Sequence, residues 1–585
     1  MSLRIATAWC VCLAVTVISS LASAALGITP SPLSAGIALA FGGLSGLFAA
    51  FSIRLPFAYS ERWTPACILL IGLFAWATWR AFFWLLFQNG AALNISSPYN
   101  LGDISLHLQF IQSFATISSF PPQSPIFAGV PLRYPLGADW FNAQLFLLGV
   151  PLDRGLIWVG LLAGIALIVT LRSWGGAFTI ATFLFICGFA AWPFFSSGLL
   201  ADYQSDLAWK NPFLTIWVTQ RGFYYALPAA LLLLLSWRNR LAGDKGYLPL
   251  FLEGLLYASM PLFHVHTFLF LSFALLVFFL YELPRSGILT AWRQHWFLLV
   301  LSALLPATAF TWLVTGGLAA QSAIAWHPGW LVENGPVVEQ IKFWFLNFGL
   351  WLVAAPLALL LGWMQRSKSI RFRIDALFAF IGLFVFAACC LFRFAPWAWD
   401  NTKLMLLCWL VLAPGIWHVL VFPLERPVRV LLCFLFFFTG AISLIGGLQN
   451  PTNYKLAERS ELAAVSTALQ SLPANAVFVH SGDFNHPLAL LGQQVSVGYN
   501  GHLWSHGYDY AARERAVHEV FKGKLEALSY LQKFGANYLF VGQREITKED
   551  GGILILTPFL KKVSSGKGFE IFELNEDLIQ KIETH

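Results

Sequence analysis

Asn100-Leu-Gly-Asp103-Ile-Ser-Leu-His107 stands in the first long polar break between apolar segments, and its reading decides how the rest of the chain is organised. If a helix runs from Asp103 to Ser119, this spacing puts Asp103 and His107 on one face, about a turn apart. The break extends from about Gln88 to Asp139 and holds Pro121, Pro122, Pro125 and Pro131, which predicts a folded loop (88–139) carrying a short helix.

Around that loop the sequence is apolar. Of 585 residues, 58% are hydrophobic, 11% are charged and 25 are Trp, with a mean hydropathy of +0.68. A soluble domain carries about 25% charged residues, so the chain reads as a membrane protein. Apolar windows of about 20 residues, long enough to span a bilayer as helices, recur about 13 times. They centre near Val15, Ala40, Phe74, Ala163, Phe185, Ala230, Leu255, Leu275, Leu304, Ala355, Leu383, Val411 and Phe437. The expected fold is an all-α polytopic membrane domain over 1–449, followed by a small extracytoplasmic α/β domain over 450–585.

Basic residues set the expected orientation. Arg4, Arg54 with Arg62, Arg172, Arg238 with Arg240 and Lys245, Arg285 with Arg293, the cluster Arg366 to Arg373, and Arg426 with Arg429 all fit one cytoplasmic face. The Asp103 loop and the C-terminal region then lie outside, in the periplasm of a bacterial inner membrane protein. Arg4, the apolar run Ala8 to Ile18 and Ala22-Ser-Ala24 also resemble a signal peptide; an uncleaved anchor is expected. All eight Cys lie in or beside apolar segments, which argues against an external disulfide framework or a thiolate metal site. The net charge of +7 is explained by cytoplasmic anchors, and no nucleic-acid partner is expected.

Beyond Gln449 charged residues become frequent. A helix is predicted over Leu456–Ser471, strands over Ala476–His480, Gln494–Gly498 and Tyr538–Gly542, and a strand pair at Ile553–Leu556 and Phe569–Leu574. Short helices fall between them at Pro487–Gly492, Ala512–Phe521 and Lys524–Phe534. No Gly-rich phosphate loop follows a strand, so no organic cofactor is expected.

Asp103 is a candidate general base, or a ligand for a divalent cation such as Mg or Mn, with His107 assisting; the plain alternative is a helix N-cap. Arg133 and Asp139, where the loop re-enters the membrane, are candidates for phosphate binding and for a second carboxylate, against interfacial anchoring beside Trp140. Arg221 begins an apolar segment on the outer side, where an anion-binding role explains a positive charge better than topology does. Asp202 and Asp206 read more simply as solvated loop carboxylates. His264-Val-His266 is weak as a zinc signal, and His264 is the better candidate for substrate contact. Arg80, inside the third apolar segment, needs a partner or must snorkel. Trp397-Ala-Trp399-Asp400-Asn-Thr-Lys403 packs two aromatics, an acid and a base into a tight turn suited to a lipid-linked phosphate. In the tail, Gly501-His-Leu-Trp504-Ser-His506-Gly507 joins a strand to a helix and suits a lid over the site.

Taken together, Gly102-Asp103 to His107, Phe127-Ala-Gly-Val-Pro-Leu-Arg-Tyr134, Gln220-Arg221-Gly222, Trp399-Asp400-Asn401-Thr-Lys403 and Gly501 to Gly507 resemble poorly characterised bacterial members of the GT-C superfamily of membrane glycosyltransferases. The resemblance implies a polyprenyl-phosphate sugar as donor, a lipid or glycan acceptor, and Asp103 as the first-loop catalytic acid. That loop usually follows the first helix in the family, and here it follows the third. Two other classes stay open from sequence. A flippase for a lipid-linked glycan predicts intramembrane charges and internal repeats, and few such charges and no repeat are visible. A non-catalytic assembly protein of the cell envelope would use the external domain to bind a partner.

Overall fold

The computed structural model describes residues 2–53, 63–116, 119–286, 295–317, 324–449 and 453–574. Arg54, Arg62 and Arg293 of the basic series lie outside the described residues, as does the side chain of Arg285.

Helices α1 (Ser2–Ala25), α2 (Pro32–Ser52) and α3 (Pro65–Phe83) open the chain. The first two pack closely because Gly42 and Gly46, one turn apart, present no side chain to α1. A Cβ at Gly46 would stand 2.5 Å from the Ala8 carbonyl oxygen. α1 belongs to the bundle core: Ala6, Cys10, Ala14 and Val17 are buried, and Trp140 Nε1 donates to Ser20 Oγ at 2.8 Å.

Among the described residues nine helices are long and apolar enough to cross a membrane, or ten if Val337–Asn347 and Trp351–Met364, bent by 75°, form one span. The expectation of about 13 windows is therefore corrected. The window near Leu255 forms only the short helix Leu250–Phe263. The window near Ala230 forms Phe223–Leu241, buried along its length but ending in the polar turn Arg238-Asn-Arg240. The windows near Ala163 and Phe185 fall in one element, α6 (Leu152–Phe185), which breaks at Gly175 and Gly176. Phe74 of α3 packs against Gly164 on one arm and lies 6.1 Å from the Phe183 ring on the other. A straight helix would hold positions 164 and 183 about 28 Å apart, so the chain folds back at the glycine pair.

The polar break forms a hairpin, β1 (Phe87–Asn89) and β2 (Ala92–Ile95), then α4 (Leu101–Thr116) and α5 (Gly137–Leu147). Its sheet is completed by β5 (Tyr454–Glu458) from the far end of the chain, antiparallel to β2. A second short sheet pairs β3 (Ala325–Trp326) with β4 (Phe392–Arg393). The C-terminal sheet has the order β7-β6-β8-β10-β9, with β6 (Val477–Val479) parallel to β7 (Gln494–Val495) and β8 (Tyr538–Gly542), and with β9 (Lys561–Gly566) and β10 (Phe569–Glu573) antiparallel. The strand expected at Ile553–Leu556 is instead 3-10 helix over Lys548–Ile555. Ile553 and Leu556, three apart, both turn into the core, a spacing that a 3-10 turn satisfies and a strand does not. The predicted helix at Leu456–Ser471 begins at Arg459, because Tyr454–Glu458 is committed to the loop sheet.

The C-terminal region docks on the loop through main-chain bonds. Ala128 N donates to Val495 O at 3.0 Å, Val495 N to Pro125 O at 2.9 Å and Gly498 N to Ile126 O at 2.8 Å. Arg513 adds a 2.6 Å bond to Ala128 O and stacks between Phe127 and Phe534. Gln109 of α4 reaches Gln493 O at 2.9 Å. α4 is thereby held between the bundle and the C-terminal sheet.

Candidate active site

Because α4 starts at Leu101, Asp103 sits in its first turn rather than at the N-cap. Its Oδ2 accepts from Gln220 Nε2 at 3.3 Å. Burial raises the Asp103 carboxyl above its ordinary value, against the opposing pull of His107, Lys403 and Arg221.

His107, one turn on, is buried, and its Nδ1 meets both oxygens of Asp139 at 2.9 and 2.8 Å. Asp139 is only 1% exposed, so its carboxylate serves His107 and presents no face to a ligand. The pair fixes the Nδ1–H tautomer of the ring.

Opposite α4 stand nitrogen donors with unused capacity. Arg221 is 1% exposed; its Nη1 bonds to Val218 O at 3.1 Å and to the Tyr224 hydroxyl at 2.7 Å, while Nε and Nη2 have no partner among the described residues. His264 Nδ1 accepts from Thr267 N at 3.1 Å, which leaves Nε2 carrying the proton, and that atom is buried without a partner among the described residues. His266 Nε2 is likewise unpartnered, and its ring lies 5.5 Å from that of His264. Lys403 lies within electrostatic range of both rings and of Asp103, and pairs with Asp400 at 3.1 Å. Asn401 holds this turn in shape, accepting from Phe394 N and donating to the Cys389 and Phe392 carbonyls.

The C-terminal region roofs the cluster. His506 stacks on Tyr134 with ring centroids 4.7 Å apart, and the Nε2 of His502 lies 3.7 Å from the Cβ position of Gly102. Burial lowers His502 to about 4 and His506 to about 3, so both are neutral near pH 7.

Asp103, His107, Arg221, His264, Asp400, Lys403 and His506 thus converge, with Asp139 behind His107. Arg133, Arg80 and Trp504 do not. Arg133 donates to Gly507 O at 2.8 Å and lies over the Tyr508 ring, latching the loop to the C-terminal region. Arg80 faces a separate cavity with Asp202. Trp504 is 46% exposed, and Asp206 is exposed as well. Sequence reading gave no role to Gln220, Tyr134 or His502, although each lies next to or within a quoted motif.

The donor set tests the divalent-cation reading. Asp400 is held by Lys403 and Asp139 by His107, which leaves Asp103 as the one carboxylate of the cluster without an ion pair among the described residues. Mg or Mn takes several oxygen ligands, whereas the other groups here are cations and N–H donors, which fit an anion. Elsewhere His480, His486 and Glu545, all buried, lie within 4.8 Å of one another. Both rings accept a backbone N–H at Nδ1, from Gly482 at 3.0 Å and Leu488 at 3.2 Å. Their Nε2 atoms therefore carry protons and are not free to ligate. Glu545 instead accepts from Ser481 N and Gly542 N and lies 3.2 Å from His486 Nε2, and its carboxyl is held below the ordinary range despite burial.

No family model and no curated protein matches the chain. Two solved structures of the Archaeoglobus fulgidus oligosaccharyltransferase are similar at a TM-score of 0.42, covering 87% of this chain and 74% of that one. One is tethered to an acceptor peptide containing the NVT sequon (12% identity) and the other is in the apo form (10% identity). A TM-score this low establishes no shared fold, so the chemistry of the site rests on the residues of this chain.

Proposed function

We propose that the chain is an integral-membrane glycosyltransferase of GT-C type, moving a sugar from a polyprenyl-phosphate donor to an acceptor hydroxyl on the extracytoplasmic side of a bacterial inner membrane. One observation carries the reading. A half-buried carboxylate, Asp103, faces a set of cationic and N–H groups with unspent donors, at the junction of a folded loop and a membrane bundle. That is a base opposed to an anion site, the pairing a displacement of phosphate by a hydroxyl requires.

In the reaction the acceptor oxygen attacks the anomeric carbon. The new C–O bond forms as the bond to the phosphate oxygen breaks, and the acceptor proton passes to Asp103. One direct displacement inverts the anomeric centre. Arg221 Nε and Nη2, with Lys403, receive the charge that develops on the departing phosphate, where preorganised donors in a dry site stabilise it most. The raised Asp103 carboxyl makes it a stronger base than a solvated aspartate. The basic clusters at the helix ends away from α4 support a cytoplasmic face there. No step runs through a metal, so activity is expected to survive a chelator such as EDTA.

The test is transfer from a labelled polyprenyl-phosphate sugar by purified protein. Asp103→Asn should slow transfer about 10²- to 10⁴-fold, the usual contribution of a positioned base. Unchanged turnover removes Asp103 from the mechanism.

A further inference from the structure

Beside α3 lies a cavity of about 310 Å³ that the transfer reaction does not use. Val218 divides it from the candidate active site: the residue lines the cavity, while its carbonyl accepts from Arg221 Nη1 at 3.1 Å. Among the described residues Arg80 is the only cation in the lining and Asp202 the only acid. Asp202 is engaged, accepting from the Tyr99 hydroxyl at 2.7 Å and from Gln204 N at 3.0 Å. Arg80 makes no ion pair among the described residues; its Nη1 reaches Ser96 Oγ at 3.4 Å, a long bond. A guanidinium offers five N–H donors, so this half-buried one has most of its capacity left for an oxyanion.

The surroundings say what the oxyanion is attached to. The cavity sits at the ends of two membrane-length helices, α3 and Arg426–Gln449, and Gly446 to Leu448 form one wall. Leu199 and Leu200 form another and are 61% and 38% exposed. Apolar side chains exposed at the end of a bundle belong against acyl chains, not water. We propose that this cavity binds the phosphate headgroup of a lipid, with the phosphate on Arg80 and the headgroup hydroxyls toward Ser97 and Tyr99. Both a bilayer phospholipid and a lipid-linked saccharide carry that chemistry. The proposal does not depend on sugar transfer.

The experiment measures binding of short-chain phosphatidylglycerol and of a short polyprenyl phosphate to the purified full-length protein, by native mass spectrometry and by thermal shift. Arg80→Gln, and Ser97→Trp to fill the cavity, should each weaken one probe about tenfold or more, as loss of a charge-assisted contact does. Loss for phosphatidylglycerol identifies a bilayer lipid, and loss for the polyprenyl phosphate identifies a carrier lipid. Unchanged binding of both probes in both variants overturns the proposal. Should a variant unfold, a photoreactive phosphatidylglycerol and a photoreactive polyprenyl phosphate on the wild-type protein decide. Labelling at Leu199 to Asp202 by either probe supports the site, and labelling only elsewhere by both sinks it. Because no turnover is read, failure here is distinct from failure of the transferase reading.

Discussion

At the residue scale, the His107–Asp139 pair separates positioning from catalysis. Asp139 holds the His107 ring from behind, and the ring stands one turn from Asp103 on the same helix. Asp139→Asn should cost about 1.5–3 kcal/mol of stability, the worth of a hydrogen bond to a charged group. It should also lower kcat with little change in KM, since no ligand touches Asp139; a rise in KM at constant kcat would show that it does. Asp103 itself sets the acid limb of the pH profile. Its carboxyl is raised by burial, and the ionised form is the base, so activity is lost as pH falls through that raised value. The limb of kcat/KM should lie above about 4, where a solvated aspartate titrates. A limb at or below that value would mean Asp103 is solvated in the working enzyme.

At the level of elements, what sequence periodicity carries was legible and what it cannot carry was not. The Asp103 and His107 spacing, α4 itself, β6, β8 and the helices near 511 and 525 follow from patterns within one segment. The partner of His107 is 32 residues away and β5 pairs with a hairpin more than 350 residues upstream, separations that no period of 2 or 3.6 encodes. Arg133 and Arg221 look alike as lone arginines near a membrane boundary. Only the fold assigns one to a latch and the other to the cluster. The reversal of α6 was half legible, as two windows around Arg172, but its mechanism lies in Gly176, at φ 65° and ψ −147°. An L side chain in that region costs on the order of 1–3 kcal/mol. Gly176→Ala should therefore destabilise the bundle by about that amount, while Gly72→Ala, with nothing near its Cβ position, should not. Equal effects on thermal unfolding in detergent would place the turn elsewhere.

At the scale of the whole molecule, the C-terminal region closes the site over two histidines that the closed state keeps neutral. Free histidine takes a proton near 6.5, whereas His502 and His506 in place do so at about 4 and about 3. Between those values the undocked chain binds more protons than the docked one, so docking strengthens as pH rises through the window. Run the other way, acidification from about 6.5 loosens the roof and the loss continues until both rings are charged. The physical cause is desolvation of both rings, with the His107 ring adding repulsion at each and His502 and Lys403 adding more at His506. Hydrogen exchange at Asn500 to Ser505 should accelerate from pH 6.5 to 4.5 beyond its intrinsic pH dependence. His502→Gln with His506→Gln should flatten that excess while leaving the main-chain bonds of Val495 and Gly498 to the loop protected. If the double variant keeps the excess, the acid response belongs to other groups, and the buried His480, His486 and Glu545 cluster is the next to test by the same exchange measurement.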